Sequence, residues 1–390
     1  MKFRLFPAKK DDKWIFYAVI GLSIFSILMV ASASVGYTSQ QSDAVIYNMG
    51  RQIIYFILGY FLMMFFFHYF NLKKIRPFLP LITLIMSLLL LATLFFPAVN
   101  GAKAWIPLPY FSVQPSEFVK VFVIVFIATY FPRFYYRKMN PADVVRYPLF
   151  IFLFWLFVVG VLQSDIGTAG VILLIVMTIA LMLQGSVFRE VKGWTRILFI
   201  VVFVGLIFVV TPLGIAFIRI LPVPEYMKQR FYMTVDPFED QFGYGYAIFH
   251  SLVALARGGL LGVGYGNSVK KFGYIPESRT DFIFPIIIEE LGIIGLLVIL
   301  VGYGIIFYKL FASAIKIKDE GSKIILIGTI AYLFIHFVLN IGGVSALIPL
   351  TGVPLLLISS GGSSTLCIMS LLGICMNIIN NPPGVNDEGD

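Results

Sequence analysis

The chain has 390 residues, of which 59% are hydrophobic and only 13% charged, with a formal net charge of +9. A mean hydropathy of +0.93 excludes a soluble protein, and no polar stretch is long enough to form a soluble domain of its own. The basic excess lies in short segments between apolar runs, which suits anionic lipid headgroups rather than nucleic acid.

In chain order, runs of about 20 apolar residues predict ten membrane-spanning helices. They lie near 14–35, 50–69, 77–97, 116–131, 147–162, 166–184, 197–219, 282–308, 324–349 and 353–379. The first follows a basic segment but is too long for a signal peptide, and equal runs follow it. The fifth and sixth are separated only by "QSD". With the N-terminus in the cytoplasm, the basic groups Lys2 to Lys13, Lys73 to Arg76, Arg133 to Arg146, Arg189 to Arg196 and Lys309 to Lys323 all fall inside. The expectation is an all-α polytopic membrane protein, a single integral membrane domain over 1–390. Both termini, 1–13 and 380–390, are then cytoplasmic, and one long extracytoplasmic loop covers 220–281. No internal repeat is visible. Cys367 and Cys375 fall inside the last run, where packing is expected rather than a disulfide or metal site.

The outward polar residues gather in four places: "NGAKAWIPLPYFSVQPSEFVK" (100–120), "LQSDIGTAG" (162–170), the loop from "RFYMTVDPFED" to "SRTD", and "LIPLTGVPLLLISSGGSST" (347–365). An extracytoplasmic enzyme has no nucleoside triphosphate, so it must draw its energy from its substrate. Glu117 and Lys120 stand three apart, either a plain intrahelical ion pair or groups facing a functional cavity. Asp165 could cap the helix opening at Ile166 or act in the site. "SSGGSS" (359–364) allows close helix approach or an unwound backbone lining a cavity. His250 has no second His or Cys nearby and reads as structural. Thr280 and Asp281 are good N-cap residues before an apolar helix. However, Arg257, Lys270, Lys271 and Arg279 make the preceding glycine-rich loop basic, which suits an anionic ligand. Pattern alone gives a basic groove with a carboxylate at its floor.

At these residues the chain resembles the SEDS family (RodA, FtsW and SpoVE), and is closer to the FtsW and SpoVE branch. "NGAKAWI…QPSEFVK", "LQSDIGTAG", "VDPF", "GGLLGVGYGNSVKKFGYIPESRTDFIFPIIIEELG" and "IPLTGVPLLLISSGGSS" occur in the family's order and spacing. Departures are Ser360 for an aromatic residue, Ser164 for a proline, Ala247 and His250 where Gln is common, and Pro285 for a small residue. The resemblance implies a peptidoglycan glycosyltransferase of the bacterial cytoplasmic membrane that polymerises lipid II. Asp281 would be its catalytic base. Lys103, Arg230, Arg257, Arg279, Glu117, Lys120 and Ser363 would contact substrate, with or without a divalent cation (Mg or Mn). It also implies a class B penicillin-binding protein as partner, along with other division or elongation membrane proteins. The eighth and ninth spans are the candidate contact for that partner, because Gly292, Gly295, Gly302 and Gly304 of the eighth allow close helix approach; packing of those glycines against the protein's own helices is the alternative. A lipid II flippase and a non-catalytic division scaffold are the alternatives.

Overall fold

A computed structural model describes residues 4–7, 12–37, 43–99, 101–109, 111–137, 139–209, 211–220 and 225–382. The expected basic residues Lys2, Lys9, Lys10 and Lys138, the motif residue Asn100, and the tail beyond Pro382 lie outside the described residues. Fourteen helices follow one another among them: α1 (Trp14–Ser34), α2 (Ala44–Tyr69), α3 (Leu72–Ile75), α4 (Leu79–Ala92), α5 (Pro115–Tyr130), α6 (Pro141–Phe157) and α7 (Ile166–Met182) come first. Then come α8 (Arg189–Val209), α9 (Pro212–Ile220), α10 (Glu225–Val235), α11 (Tyr246–Gly258), α12 (Ile283–Lys316), α13 (Glu320–Val344) and α14 (Gly362–Asn380). The only sheet among the described residues is a two-stranded hairpin pairing Ile106 with Val113 and Pro107 with Ser112.

Eight helical stretches are long and apolar enough to cross a membrane. α5 and α7 have 16 and 17 residues and supply the other two of the ten expected runs. Their short length matches their place in the interior, where α5 buries twelve of its residues. α14 lies along α2, α1 along α12, and α5 and α7 both pack on α13. The α2–α14 contact is close because Gly373 has no side chain: a Cβ there would stand 2.2 Å from the Met63 carbonyl oxygen. α8 is the exception, since Thr195 is its one buried residue.

Two expected boundaries move for physical reasons. The seventh run divides at Thr211, whose hydroxyl accepts from the Gly214 N–H at 3.1 Å and, with Pro212 following, starts α9 as a new helix. The tenth does not begin at 353. Residues 345–361 are irregular, and the helix starts at Gly362. Pro349, Gly352 and Pro354 break the apolar run, and Ala346, Gly352 and Leu357 adopt positive φ. This stretch is apolar by composition yet, apart from the Ser359 N–H bond to the Leu355 carbonyl at 2.8 Å, it builds no helical ladder, so most of its carbonyls need partners from elsewhere. Those partners are side chains of the surrounding helices.

Candidate active site

The irregular segment is held carbonyl by carbonyl. Asn340 donates to Val353 at 2.8 Å, His336 to Pro354 at 3.0 Å and Ser26 to Ile358 at 2.6 Å. The Tyr303 hydroxyl donates to Leu356. Arg230 reaches Leu350 at 3.3 Å. The Ser359 hydroxyl donates to the Thr280 carbonyl at 2.7 Å, and the Ser360 N–H to the Arg279 carbonyl at 2.9 Å. The loop carrying Asp281 is thereby fixed through its backbone to a segment that is itself fixed to the bundle.

Asp281 is the centre of this arrangement. Its main-chain carbonyl accepts from Asn340 Nδ2 at 2.8 Å, while its carboxylate receives no hydrogen bond from any described residue. The expected N-cap role is corrected here: the N-cap of α12 is Phe282, and no side chain caps that terminus. Asp281 lies one position too early, and its backbone is committed to Asn340. The carboxylate stands 3.6 Å from where a Cβ on Gly352 would lie, so only a glycine leaves the space in front of it open. Burial pushes its pKa up from 3.8 to about 7, Glu277 and Asp165 add to the rise, and Arg230 opposes it. A carboxyl near 7 is a far better proton acceptor at neutral pH than one near 4. Three buried polar atoms nearby in sequence or contact, Ser278 Oγ, Asn340 Oδ1 and Thr351 Oγ1, have no hydrogen-bond partner among the described residues.

A polar stripe on α13 connects this loop to the interior. Tyr332, His336 and Asn340 are spaced by four and so share a face. Glu117 and Lys120 on α5 form an ion pair of 2.7 Å, with Lys120 wholly buried and Glu117 2% exposed. The Tyr332 hydroxyl donates to the other Glu117 oxygen at 2.9 Å, and Lys120 donates to His336 Nε2 at 3.1 Å. With Nε2 accepting, the imidazole proton is on Nδ1, which donates to Pro354. Glu117 and Lys120 are therefore not exposed lining groups. Their charges are satisfied by each other and by α13, and they reach Asp281 only through His336, Pro354 and Asn340.

The other expected contacts divide. Ser363 Oγ accepts from the Gln114 N–H at 3.0 Å, and Gln114 Nε2 donates to Asp165 at 3.1 Å. Asp165 also caps α7 by accepting from the Thr168 N–H at 3.0 Å. Arg230 and Arg279 are half-buried beside the Asp281 loop. Lys103 is exposed, and its backbone N–H donates to Gln163 at 2.9 Å. Arg257 turns away from the site: its guanidinium donates to buried Glu289 at 2.7 Å. Lys271 is likewise spent on Glu290, at 2.9 Å, with both side chains fully buried. The basic loop therefore offers fewer free cations than its composition suggests.

Glu289 and Glu290 shape the loop. Their carbonyls accept from the N–H groups of Val263 and Gly264 at 2.9 and 3.0 Å. These acceptors are free because α12 breaks at Gly292 (φ 59°, ψ −145°), where a Cβ would stand 2.5 Å from the Leu260 oxygen. His250 packs edge-to-face between Tyr246 and Tyr274, with its pKa lowered by burial and then by Lys270. As for a cation, no group of three His, Cys, Asp or Glu among the described residues is placed to hold one.

A family model described as "Cell cycle protein" and covering FtsW, RodA and SpoVE matches residues 12–382. The probable peptidoglycan glycosyltransferase FtsW of Bacillus subtilis is 33% identical, over 95% of this chain and 91% of that protein. Stage V sporulation protein E of the same organism is 31% identical over 95% and 98%. Among solved structures, a chain of a peptidoglycan synthase complex superposes with a TM-score of 0.71 at 23% identity, covering 95% of this chain and 98% of that one. Thermus thermophilus rod shape determining protein RodA gives 0.62 at 20% identity, covering 95% and 97%. The fold is shared with both.

Proposed function

The chain belongs to the FtsW/RodA/SpoVE family, and from that premise we propose how it works as a peptidoglycan glycosyltransferase: Asp281 is the general base that activates the acceptor sugar. The substrate is lipid II, a disaccharide-pentapeptide on undecaprenyl diphosphate. The acceptor hydroxyl oxygen forms a bond to the donor's anomeric carbon as the bond from that carbon to the diphosphate breaks. Its proton passes to Asp281, and the diphosphate leaves on its polyprenyl chain. One displacement converts an α-linked donor to a β-linked product. The observation that carries this reading is a backbone-anchored carboxylate with no hydrogen-bond partner among the described residues and a pKa raised to about 7. Arg230 and Arg279, half-buried beside the Asp281 loop, would meet the charge developing on the diphosphate. A divalent cation would need the substrate's own phosphate oxygens to complete its shell beside Asp281, and no step above depends on one. Purified protein given lipid II alone should make glycan strands, and absence of polymer from folded protein would overturn the reading.

A single-span class B penicillin-binding protein is the proposed partner. Gly302 is not free for it, because a Cβ there would stand 2.5 Å from Leu22 of α1. Gly292 is equally committed to the Leu260 loop, and Gly295 lies against Ile287 of its own helix. The open face of α12 is instead Ile294, Leu297, Val301, Gly304, Tyr308 and Phe311, all exposed and spaced alternately by three and four. That is a coiled-coil seam suited to one further helix. Gly304→Leu with Val301→Arg should abolish co-purification of the transpeptidase, and retention of the complex would place the contact elsewhere.

A further inference from the structure

Arg51, on α2, is half-buried and has no ion pair or hydrogen bond among the described residues. Its guanidinium carbon stands 5.6 Å from the centre of the Tyr55 ring, and its Nε is buried without a partner. An unpaired guanidinium in a membrane protein is costly unless something meets it. Tyr55, one turn on, is 7% exposed, and its hydroxyl is also buried and unpartnered. That hydroxyl is aimed at the first turn of α14, 2.8 Å from where a Cβ on Gly362 would lie.

α14 has 19 residues, and its N-cap, Gly361, supplies no side-chain cap. The N–H groups of Gly362, Ser363 and Ser364 find no acceptor among the described residues. Gly361 and Gly362 are themselves partly exposed. Open N–H groups at a helix start carry partial positive charge and favour an anion, phosphate above all. The two sides are locked together. Gln52 Nε2 donates to Ser26 Oγ at 3.0 Å and reaches the Ser359 carbonyl at 3.4 Å, while Ser26 Oγ holds the Ile358 carbonyl. Ser359 and Ser360 in turn bond the backbone at Thr280 and Arg279, beside Asp281.

We propose that Arg51, Tyr55 and the open first turn of α14 form a binding site for the diphosphate of a polyprenyl-linked sugar. The site rests on the glycosyltransferase reading and adds to it a headgroup cradle distinct from Arg230 and Arg279. The guanidinium supplies charge and paired donors, the tyrosine one neutral donor, and the helix start up to three more. Gly362 is required because a Cβ there would stand 2.6 Å from the Tyr55 ring and push the hydroxyl away from the start of α14.

The test measures binding in the Asp281→Asn protein, reconstituted whole in nanodiscs, so that turnover is not needed. The probes are undecaprenyl diphosphate, undecaprenol and inorganic pyrophosphate. Arg51→Met should weaken the lipid diphosphate at least tenfold or so, and Tyr55→Phe by several-fold, with undecaprenol unchanged. Inorganic pyrophosphate should compete, but far more weakly than the lipid. Tyr55→Phe removes a hydroxyl that no described residue hydrogen-bonds, so it should unfold at the same temperature as its parent even where Arg51→Met does not fold. Unchanged diphosphate affinity in Tyr55→Phe overturns the site, as does equal weakening of undecaprenol. Inorganic pyrophosphate binding as tightly as the lipid overturns the assignment to a polyprenyl ligand. Failure of the general-base reading would look different: Asp281→Asn itself would polymerise, whatever the binding data.

Discussion

Asn340 holds Asp281 by its main-chain carbonyl, at 2.8 Å, and uses the same amide nitrogen to hold Val353 at 2.8 Å. One side chain thus joins the base's loop to the irregular segment, and leaves the carboxylate untouched. Asn340→Leu strands two buried carbonyls, each worth about 1–3 kcal/mol. Thermal unfolding of the purified variant should shift down accordingly, and polymerisation should fall further than stability alone explains.

Asp281→Asn keeps the shape of the side chain and every backbone bond at the loop. Polymerisation should drop by about a hundredfold or more, the usual worth of a positioned base, while the protein stays folded. Near-normal strand synthesis by this variant would remove Asp281 from the mechanism.

The pH profile follows from the raised pKa. The base works only when deprotonated, so initial rates between pH 5 and 9 should climb to about 7 and then level. Stability runs the opposite way. A carboxyl whose folded pKa exceeds its unfolded 3.8 favours the fold fully below 3.8, and that contribution is lost as pH rises through about 7. Asp281→Asn should therefore unfold at a higher temperature than its parent at pH 8, and the gain should shrink towards pH 5.

The Glu117–Lys120 pair offers a double-mutant cycle. Removing one partner leaves a buried charge, at a cost of about 3–5 kcal/mol, whereas Glu117→Gln with Lys120→Met leaves none. Each single variant should be markedly less stable than the double. Equal or additive losses would mean that the two groups do not depend on each other.

At Gly292 the backbone adopts a conformation that favours glycine, and a Cβ would meet the Leu260 oxygen. Gly292→Ala should straighten α12 or detach the loop, at a cost of about 1–3 kcal/mol in strain alone. Limited proteolysis within 259–282, together with loss of polymerisation, would register it; an intact loop with full activity would contradict the role given to the break.

Hydropathy was enough to find the spans, though not the ends of the seventh and tenth, because a lipid solvent forces long apolar runs. The irregular segment 345–361 escaped because it is as apolar as a helix; only Pro349, Gly352 and Pro354 hinted that its backbone must be satisfied by others. The four-residue spacing of Tyr332, His336 and Asn340 inside an apolar run was a readable sign of an inward polar face. Lys271 and Arg257 looked available because nothing local pairs them. Their partners, Glu290 and Glu289, lie 19 and 32 residues away, brought near by the break in α12.

α8 touches α7 and α9 but fully buries only Thr195, and most of its apolar side chains, from Trp194 and Ile197 to Phe208, are exposed. Such a helix is solvated by acyl chains, and its tilt follows the thickness of the surrounding bilayer more than any interior contact. A detergent micelle replaces its main neighbour while leaving the neighbours of α5 or α13 in place. Among the spans, this is the one whose position in a purified sample reports the solvent.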